Sequence, residues 1–154
     1  MNNQEIIIRK AVESDSEKVW ILMKELAIFE HYDDSFAITP EIIKESGFRK
    51  TPPDFFCIVA ESDDKIAGML VYYFLPYTAQ NRSAVYLKEL YVDYRYRGLK
   101  IGEKLMNALK EDAKQHDCTQ IKWTVAPWND AGKRFYERIG AKENTEWLNY
   151  EWSI

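Results

Sequence analysis

The 154 residues of the chain are enough for one domain of ordinary size, which buries its core without disulfides or a structural metal. Hydrophobic residues make up 46% of the sequence and charged residues 30%, which excludes a disordered chain and a collagen-like one. The net charge of −4 argues against nucleic acids and anionic membranes as partners, and it favours cationic partners.

The N-terminal part of the sequence predicts one strand followed by two helices. Residues 5–9 form a short apolar run, which is typical of a strand. Ser14 is placed to cap the first helix, and apolar residues follow it at helical spacing: Val19, Leu22, Met23, Leu26 and Phe29. Thr39 followed by Pro40 predicts the start of a second, short helix, which Gly47 is expected to end.

The middle of the sequence predicts three adjacent strands. Runs of β-branched and aromatic residues cover 55–60, 66–75 and 84–92. A polar turn over 62–65 joins the first two runs, so they are expected to form an antiparallel hairpin. The longest mostly apolar stretch, residues 68–77, is too short to cross a bilayer.

The C-terminal part predicts two further helices and two further strands. A long amphipathic helix starts near Ile101, and strands are expected over 121–126 and 146–152, with a helix capped by Asn129 between them. The resulting order of elements indicates one mixed α/β sheet with helices on its faces. We expect a single domain over residues 1–154.

Neither the cysteines nor the histidines form a recognisable ligand pattern. Cys57 and Cys118 belong to no C-x-x-C motif, and His31 and His116 are equally isolated, so the sequence predicts free thiols and no metal. The first five residues lack the basic and apolar segments of a secretion signal, which favours a cytoplasmic protein.

The segment from Tyr91 to Gly102 joins the end of a strand to the start of an amphipathic helix and carries two glycines. Backbone N–H groups at a helix N-terminus are unpaired and carry partial positive charge, so such a turn can cradle a phosphate. Arg97 adds a fixed cation. The turn matches neither the Rossmann nor the Walker motif, and taken alone it is equally typical of a tight strand-to-helix connection.

Together with its neighbours, this turn resembles the GNAT superfamily of acetyl-CoA-dependent N-acetyltransferases. The resemblance covers nearly the whole chain, including the strand over 86–92, the strand that leads to Asn129 and the segment 134–140. It implies a mixed, mostly antiparallel central sheet flanked by helices, with acetyl-CoA as co-substrate and no metal. In the family's phosphate turn, Arg/Gln-x-x-Gly-x-Gly/Ala, Lys100 stands here in place of the first glycine.

The same resemblance implies which residues hold acetyl-CoA. The strand end is expected to pair its backbone with the pantetheine arm, and the turn to bind the pyrophosphate. Asn129 and the helical turn after it are expected beside the arm. The cofactor-binding residues implied in this way are Leu90, Tyr91, Val92, Arg97, Gly98, Leu99, Lys100, Ile101, Gly102, Asn129, Lys133 and Tyr136.

Acetyl transfer from a thioester to an amine needs a neutral amine, a polarised carbonyl and a proton for the departing thiolate. Tyr136 matches the family tyrosine near the thioester sulfur, and a phenol keeps its proton at pH 7. Family members that acetylate diamines and polyamines carry two adjacent acids before the turn, where this chain has Lys88 and Glu89. Glu89 is therefore the expected base, directly or through water. Lys88 either pairs with Glu89 or removes an anionic subsite.

The end of the first helix resembles that of the spermidine/spermine and related diamine acetyltransferases, where it contributes an acid to the substrate pocket. Glu30 is the matching residue, and Trp128 and Trp147 also resemble positions of this subgroup. The implied substrate-binding residues are Phe29, Glu30, Lys88, Glu89 and Trp128.

These observations leave three hypotheses in order of preference. The first is a cytoplasmic enzyme that moves acetyl from acetyl-CoA to a primary amine of a small diamine or polyamine, by direct attack in a ternary complex. The second keeps this chemistry but uses an amino-acid amine, such as that of lysine or a thialysine-like analogue. The third is a non-catalytic acetyl-CoA-binding module. Related small acetyltransferases are often homodimers, so a homodimer is expected by resemblance, with no nucleic acid and no membrane as partners.

Overall fold

The computed structural model describes residues 4–154, and within them it contains five strands and four α-helices. Met1–Asn3, on which the expectation of no secretion signal partly rests, lie outside the described residues. The elements in chain order are β1 (Ile7–Lys10), α1 (Ser16–Phe29), α2 (Pro40–Lys44), β2 (Phe56–Ser62), β3 (Lys65–Tyr77), β4 (Arg82–Val92), α3 (Ile101–Gln115), β5 (Ile121–Lys122) and α4 (Asp130–Arg138).

The five strands form one sheet in the order β1-β2-β3-β4-β5. All neighbouring pairs are antiparallel except β4 and β5, which run parallel, so the predicted mixed and mostly antiparallel sheet is confirmed. The predicted hairpin of β2 and β3 turns at Asp63 and Asp64, whose φ angles are 48° and 62°. Two successive residues with positive φ are typical of the hairpin turn whose twist matches that of its strands.

The pairing of β3 with β4 contains a bulge at Lys88. Val71 lies opposite Glu89 and Tyr72 lies opposite Leu87, so Lys88 has no partner on β3. An extra residue in one strand bends it and changes which edge of the strand each later backbone group faces.

Helices cover both faces of the sheet. The predicted stripe of α1 is confirmed for Val19, Leu22, Met23 and Leu26, which are buried with Met69 and Val71 of β3, whereas Phe29 is 43% exposed. The predicted stripe of α3 is buried as well: Ile101, Leu105, Leu109 and Ala113. Gly68 of β3 approaches Ile101 and Leu105. Because neighbouring strand residues face opposite sides, α1 and α3 lie on opposite faces.

The predicted cap of the first helix is wrong, while that of the second is confirmed. Helix α1 begins at Ser16, after a short 3₁₀ turn, and Ser14 does not cap it. The Asp15 carboxylate instead accepts the Val12 N–H at 2.8 Å and pairs with Arg9 of β1. In α2, the Thr39 hydroxyl accepts the Ile42 N–H at 3.2 Å, as a cap does.

Gly47 does not end the second helix, contrary to prediction. Helix α2 continues into a π-helical turn over Glu45–Arg49 that includes Gly47. Arg49 pairs with Glu45 at 2.6 Å and with Glu41 at 2.9 Å, and it also contacts Glu13. The pairs with Glu41 and Glu45 link the extra turn to the preceding one.

The chain divides into two compact units, of which the first ends at Trp123 and the second is Thr124–Ile154. The predicted strand over 121–126 is limited to Ile121–Lys122. The strand predicted over 146–152 is wrong, because residues 141–154 contain neither strand nor helix. A strand needs a neighbour for its N–H and C=O groups, and none of the described strands pairs with this segment. Its aromatic residues are exposed, including Trp147 and Trp152.

Candidate active site

The turn after β4 is fixed at its first residue by a buried carboxylate. Asp93 accepts the backbone N–H of Arg95 at 2.9 Å and the guanidinium of the same residue at 2.6 Å. The hydrogen bonds and charge of Arg95 lower the pKa of Asp93, so its carboxylate stays ionised. The chain therefore leaves the sheet in a defined direction.

The same turn then passes through two left-handed residues before α3. Gly98 has φ 84° and Lys100 has φ 57°. A non-glycine residue pays roughly 1–2 kcal/mol for this conformation, yet Lys100 adopts it where the family pattern has glycine. Lys100 precedes α3 without a side-chain cap, and Arg97, Gly98, Leu99 and Lys100 are exposed.

The first N–H groups of α3, which is 15 residues long, are consequently available to an anion. Ile101, the first residue of the helix, is 2% exposed and anchors this end of α3 against the sheet. Gly102 follows it in the first helical turn. Arg97 and Lys100, both positively charged, precede these N–H groups in the sequence. This combination suits an anion with several charges.

The bulge at Lys88 turns backbone groups of β4 toward its other edge. Asp93 donates its N–H to Ala67, on the side of β3. Because strand residues alternate, Leu90 and Val92 present N–H and C=O on the opposite edge. β5 pairs with β4 only at Val85 and Tyr86, so in the described part of the chain no strand covers that edge at Leu90 and Val92. This edge can pair with an extended molecule that carries amides.

Tyr91, between these two residues, points toward α1. Its phenol hydrogen-bonds with Glu25, and burial together with this carboxylate raises the pKa of Tyr91 to about 12. The phenol therefore stays protonated and donates a hydrogen bond to the carboxylate. The other carboxylate oxygen of Glu25, Oε2, is buried without a hydrogen-bond partner.

Two carboxylates, one at the end of α1 and one on β4, are near enough for their charges to interact. Burial raises the pKa of Glu89, and the nearby negative charge of Glu30 raises it further. The Oε2 atom of Glu89 is buried and has no hydrogen-bond partner. Partial burial also raises the pKa of Glu30. A pair of this kind favours cationic or hydrogen-bond-donating molecules.

Tyr32 joins this pair, and the sequence analysis missed it. Burial, then the charges of Glu89 and Glu30, raise the pKa of Tyr32 to about 12, so its phenol remains a donor. His31 adopts φ 64° after α1, and the Tyr32 N–H donates to Ala27 at 2.9 Å. This reversal of the chain brings the ring back toward β4. No sequence motif marks Tyr32 as a site residue, and its placement follows from the left-handed backbone of His31.

Lys88 is the cation of the group. Its side chain is exposed, and its charge lowers the pKa of both Glu30 and Glu89, in opposition to the effect of burial. We name Glu30, Tyr32, Lys88 and Glu89 the acceptor cluster. Phe29, the last residue of α1, precedes the cluster in sequence.

The second unit contains the other predicted site residues, which lie just before α4 or within it: Trp128, Asn129, Lys133 and Tyr136. The Asn129 side chain accepts the Gly132 N–H at 3.0 Å, which confirms the predicted cap. Lys133 donates to the Pro127 carbonyl. Tyr136 is half-buried, with its ring centroid 5.3 Å from that of Phe135, and Trp128 is 50% exposed.

The described residues 4–154 offer neither a cluster of metal ligands nor a helical membrane span. Within them, no group of three or more His, Cys, Asp or Glu side chains is arranged to hold a metal ion. No helix among them combines the length and the apolar character that crossing a membrane requires. Cys57 and Cys118 are free thiols, as predicted.

The family of the chain follows from comparison with known proteins. The model of the acetyltransferase (GNAT) family matches residues 19–141, which include both the acceptor cluster and the start of α4. The chain belongs to this family. It is therefore an N-acetyltransferase that uses acetyl-CoA.

Two curated relatives and one solved structure illustrate the similarity. Thialysine N-epsilon-acetyltransferase of Bos taurus is 33% identical over 149 residues, which cover 92% of this GNAT chain and 86% of that protein. The spermidine/spermine N(1)-acetyltransferase-like protein 1 of Homo sapiens is 31% identical over 141 residues, 87% of this chain and 20% of that protein. An aminoglycoside N-acetyltransferase in complex with CoA shares the fold with a TM-score of 0.79 at 15% identity, covering 99% of this chain and 98% of that one.

Proposed function

We propose that the chain transfers the acetyl group of acetyl-CoA to a primary amine of a small molecule that carries a second amino group, in the simplest case a diamine or polyamine. The observation that carries this proposal is the unpartnered, buried Oε2 of Glu89 beside Glu30. A buried carboxylate oxygen without a donor is a costly arrangement that an ammonium group relieves. Two carboxylates suit an acceptor with two amino groups.

In this scheme Glu89 takes the proton of the reacting ammonium. Its raised pKa makes it a stronger base than an exposed glutamate, which suits proton transfer from an amine. The neutral amine then attacks the thioester carbonyl, the carbon–sulfur bond breaks, and the departing thiolate takes a proton from the Tyr136 phenol. The nitrogen, which became cationic on attack, loses its second proton, and this proton restores the phenol. Glu89 releases the first proton to solvent. No covalent intermediate with the enzyme forms. Glu30, with Tyr32 beside it, holds the second ammonium.

For acetyl-CoA, we propose that the open edge of β4 at Leu90 and Val92 pairs with the amides of the pantetheine arm. The uncapped start of α3, with Arg97 and Lys100, binds the pyrophosphate. By resemblance to the family, Asn129 and Lys133 are further cofactor-binding residues in this proposal. A homodimer and a cytoplasmic location stay predictions.

The experiment that tests the acceptor compares 1,5-diaminopentane with pentylamine, using the purified chain and acetyl-CoA and measuring release of the CoA thiol. A charge-assisted hydrogen bond to the second ammonium contributes about 1.5–3 kcal/mol, so kcat/KM for the diamine should be about 10–100-fold higher. Glu30→Gln should reduce this ratio, because only the diamine carries the second ammonium. Equal use of both amines by the wild type would contradict the proposal.

A second candidate acceptor is an amino acid with a side-chain amine. The charge of Lys88 within the acceptor cluster favours it, and the relative from Bos taurus is named for thialysine. A non-catalytic acetyl-CoA-binding module, the third hypothesis, conflicts with membership of an acetyltransferase family. Thiol release with any amine would exclude that hypothesis.

A further inference from the structure

Lys88 is the one residue of the acceptor cluster to which the transfer scheme gives no task. It occupies the bulge of β4, where it has no partner on β3, and its side chain is exposed. It lies close enough to Glu30 and Glu89 for its charge to act on both carboxylates. Among the described residues it forms no ion pair within 4 Å, so its ammonium is available to a ligand.

The charges of the cluster distinguish between two kinds of acceptor. With its groups ionised, the cluster carries one more negative than positive charge, because Lys88 offsets one of the two glutamates. A diamine with both amines protonated carries two positive charges, so its complex with the cluster keeps one uncompensated positive charge. A diamino acid such as lysine carries two ammonium groups and one carboxylate, so it neutralises the cluster. An uncompensated charge in a partly buried site is costly.

The arrangement of the charges agrees with this balance. In lysine, the α-ammonium and the carboxylate are attached to the same carbon atom, so their partners in a binding site must be neighbours. Lys88 on β4 and Glu30 at the end of α1 offer such a combination, since the two elements pack together and the charge of Lys88 acts on the Glu30 carboxylate. Glu89, with its buried and unpartnered oxygen, then remains for the amine at the other end of the molecule.

We propose that Lys88 is a specificity-determining residue, which binds the carboxylate of a diamino-acid acceptor while Glu30 binds its α-ammonium. The proposal rests on the function proposed above, since it assigns the acceptor of the same site. It makes the bulge of β4 the feature that separates diamino acids from plain diamines.

The test uses three acceptors of matched length with the purified chain and acetyl-CoA: L-lysine, L-lysinamide and 1,5-diaminopentane. Lysinamide keeps both amines of lysine but replaces the carboxylate with a neutral amide. We expect kcat/KM for lysine to exceed that for each of the other two by about 10–100-fold. Lys88→Gln should bring these ratios close to one, mainly through a higher KM for lysine, and Lys88→Arg should restore most of the preference.

Two further variants complete the design. Lys110→Gln changes an exposed lysine of α3 and should leave all ratios as in the wild type. Lys88→Glu should favour 1,5-diaminopentane over lysine, because it adds a carboxylate to the cluster.

A wild type that uses lysinamide or 1,5-diaminopentane as well as lysine would overturn the proposal, as would unchanged ratios in Lys88→Gln. Failure of the proposed function would look different: none of the three acceptors would release thiol from acetyl-CoA, with the wild type or with any variant.

Discussion

A buried carboxylate oxygen without a hydrogen-bond partner costs folding free energy, and Glu89 carries such an oxygen. Its raised pKa shows that burial opposes its ionised form. The ionised form is also the one that accepts a proton from an amine. At this residue, stability and the proposed catalysis therefore have opposite requirements.

The sign of the pH effect follows from the direction of this pKa shift. Between the ordinary pKa of a glutamate and the raised pKa of Glu89, the folded chain binds more protons than the unfolded chain. The contribution of Glu89 to stability therefore falls as the pH rises through this window, and above it the ionised side chain remains destabilising. Lowering the pH removes the penalty.

We predict that Glu89→Gln raises the free energy of unfolding at pH 7–8 and lowers kcat by something like 10²–10⁴. The gain in stability should shrink as the pH falls from the raised pKa of Glu89 to the ordinary pKa of a glutamate, because the wild-type side chain becomes protonated in the folded chain over this window. Urea unfolding over a pH series and thiol release measure the two effects. Glu5→Gln, at an exposed glutamate, is the control. A variant less stable than the wild type at pH 8 would disprove this account of Glu89.

At the scale of the elements, β3 contacts α3 where the turn after β4 ends. Gly68 lies opposite Val92, the last residue of β4. A Cβ atom at Gly68 would be 3.1 Å from Cγ2 of Ile101 and 3.2 Å from the backbone oxygen of Tyr91. Both contacts are tighter than ordinary packing, so a side chain at residue 68 would press on Ile101 of α3 and on the backbone of β4.

Gly68→Ala should therefore displace the start of α3. Overpacking of this kind typically costs about 1–3 kcal/mol, and the melting temperature should fall accordingly. Because Ile101 is the first residue of α3, whose start is the proposed pyrophosphate site, the Kd for acetyl-CoA should rise, while the preference among amines stays unchanged. Calorimetric titration and the acceptor panel test the two statements. Unchanged affinity for acetyl-CoA would show that the contact of Gly68 with Ile101 does not position the cofactor site.

The elements differ in how far their sequence predicts them. The apolar spacing of α1 and α3 and the alternation of β2, β3 and β4 are local, and these elements form close to where they were predicted. Ser14 fails as a cap because Asp15 pairs with Arg9 from another element. The strand predicted over 146–152 is absent because a strand depends on a neighbour, which local pattern does not contain.

The same distinction applies to the candidate site. Resemblance to a family predicts Glu30, Lys88, Glu89 and the turn after β4 as site residues, since these positions carry a recognisable pattern. Tyr32 joins them through a left-handed residue, and Lys88 lies in the bulge that the register of β3 with β4 creates. The lack of a partner for Lys88 on β3 depends on how the two strands pair, which a short stretch of sequence does not contain. The position of Tyr32 depends on how the chain turns after α1, and no motif marks it.

For the whole molecule, acetyl-CoA binding links the cofactor site to global stability. A ligand that binds only the folded chain stabilises it by mass action, by about 2.7 kcal/mol at 100 times its Kd. The proposed pyrophosphate site and the proposed acid are different residues, so binding and chemistry should be separable. Gly102→Glu places a negative charge at the pyrophosphate, whereas Tyr136→Phe removes only a hydroxyl group.

We predict that Gly102→Glu loses most of the increase in melting temperature that acetyl-CoA gives the wild type, through repulsion of the phosphates. Tyr136→Phe should keep this increase, because the ring remains, but lower kcat by about 10²–10⁴ for want of the phenolic proton. Tyr150→Phe, which changes an exposed tyrosine of the same unit, should affect neither. Thermal melts with and without acetyl-CoA, together with thiol release, provide both measurements. An unchanged kcat in Tyr136→Phe would exclude that residue as the acid. If acetyl-CoA stabilised Gly102→Glu as much as the wild type, the pyrophosphate would not bind at the start of α3.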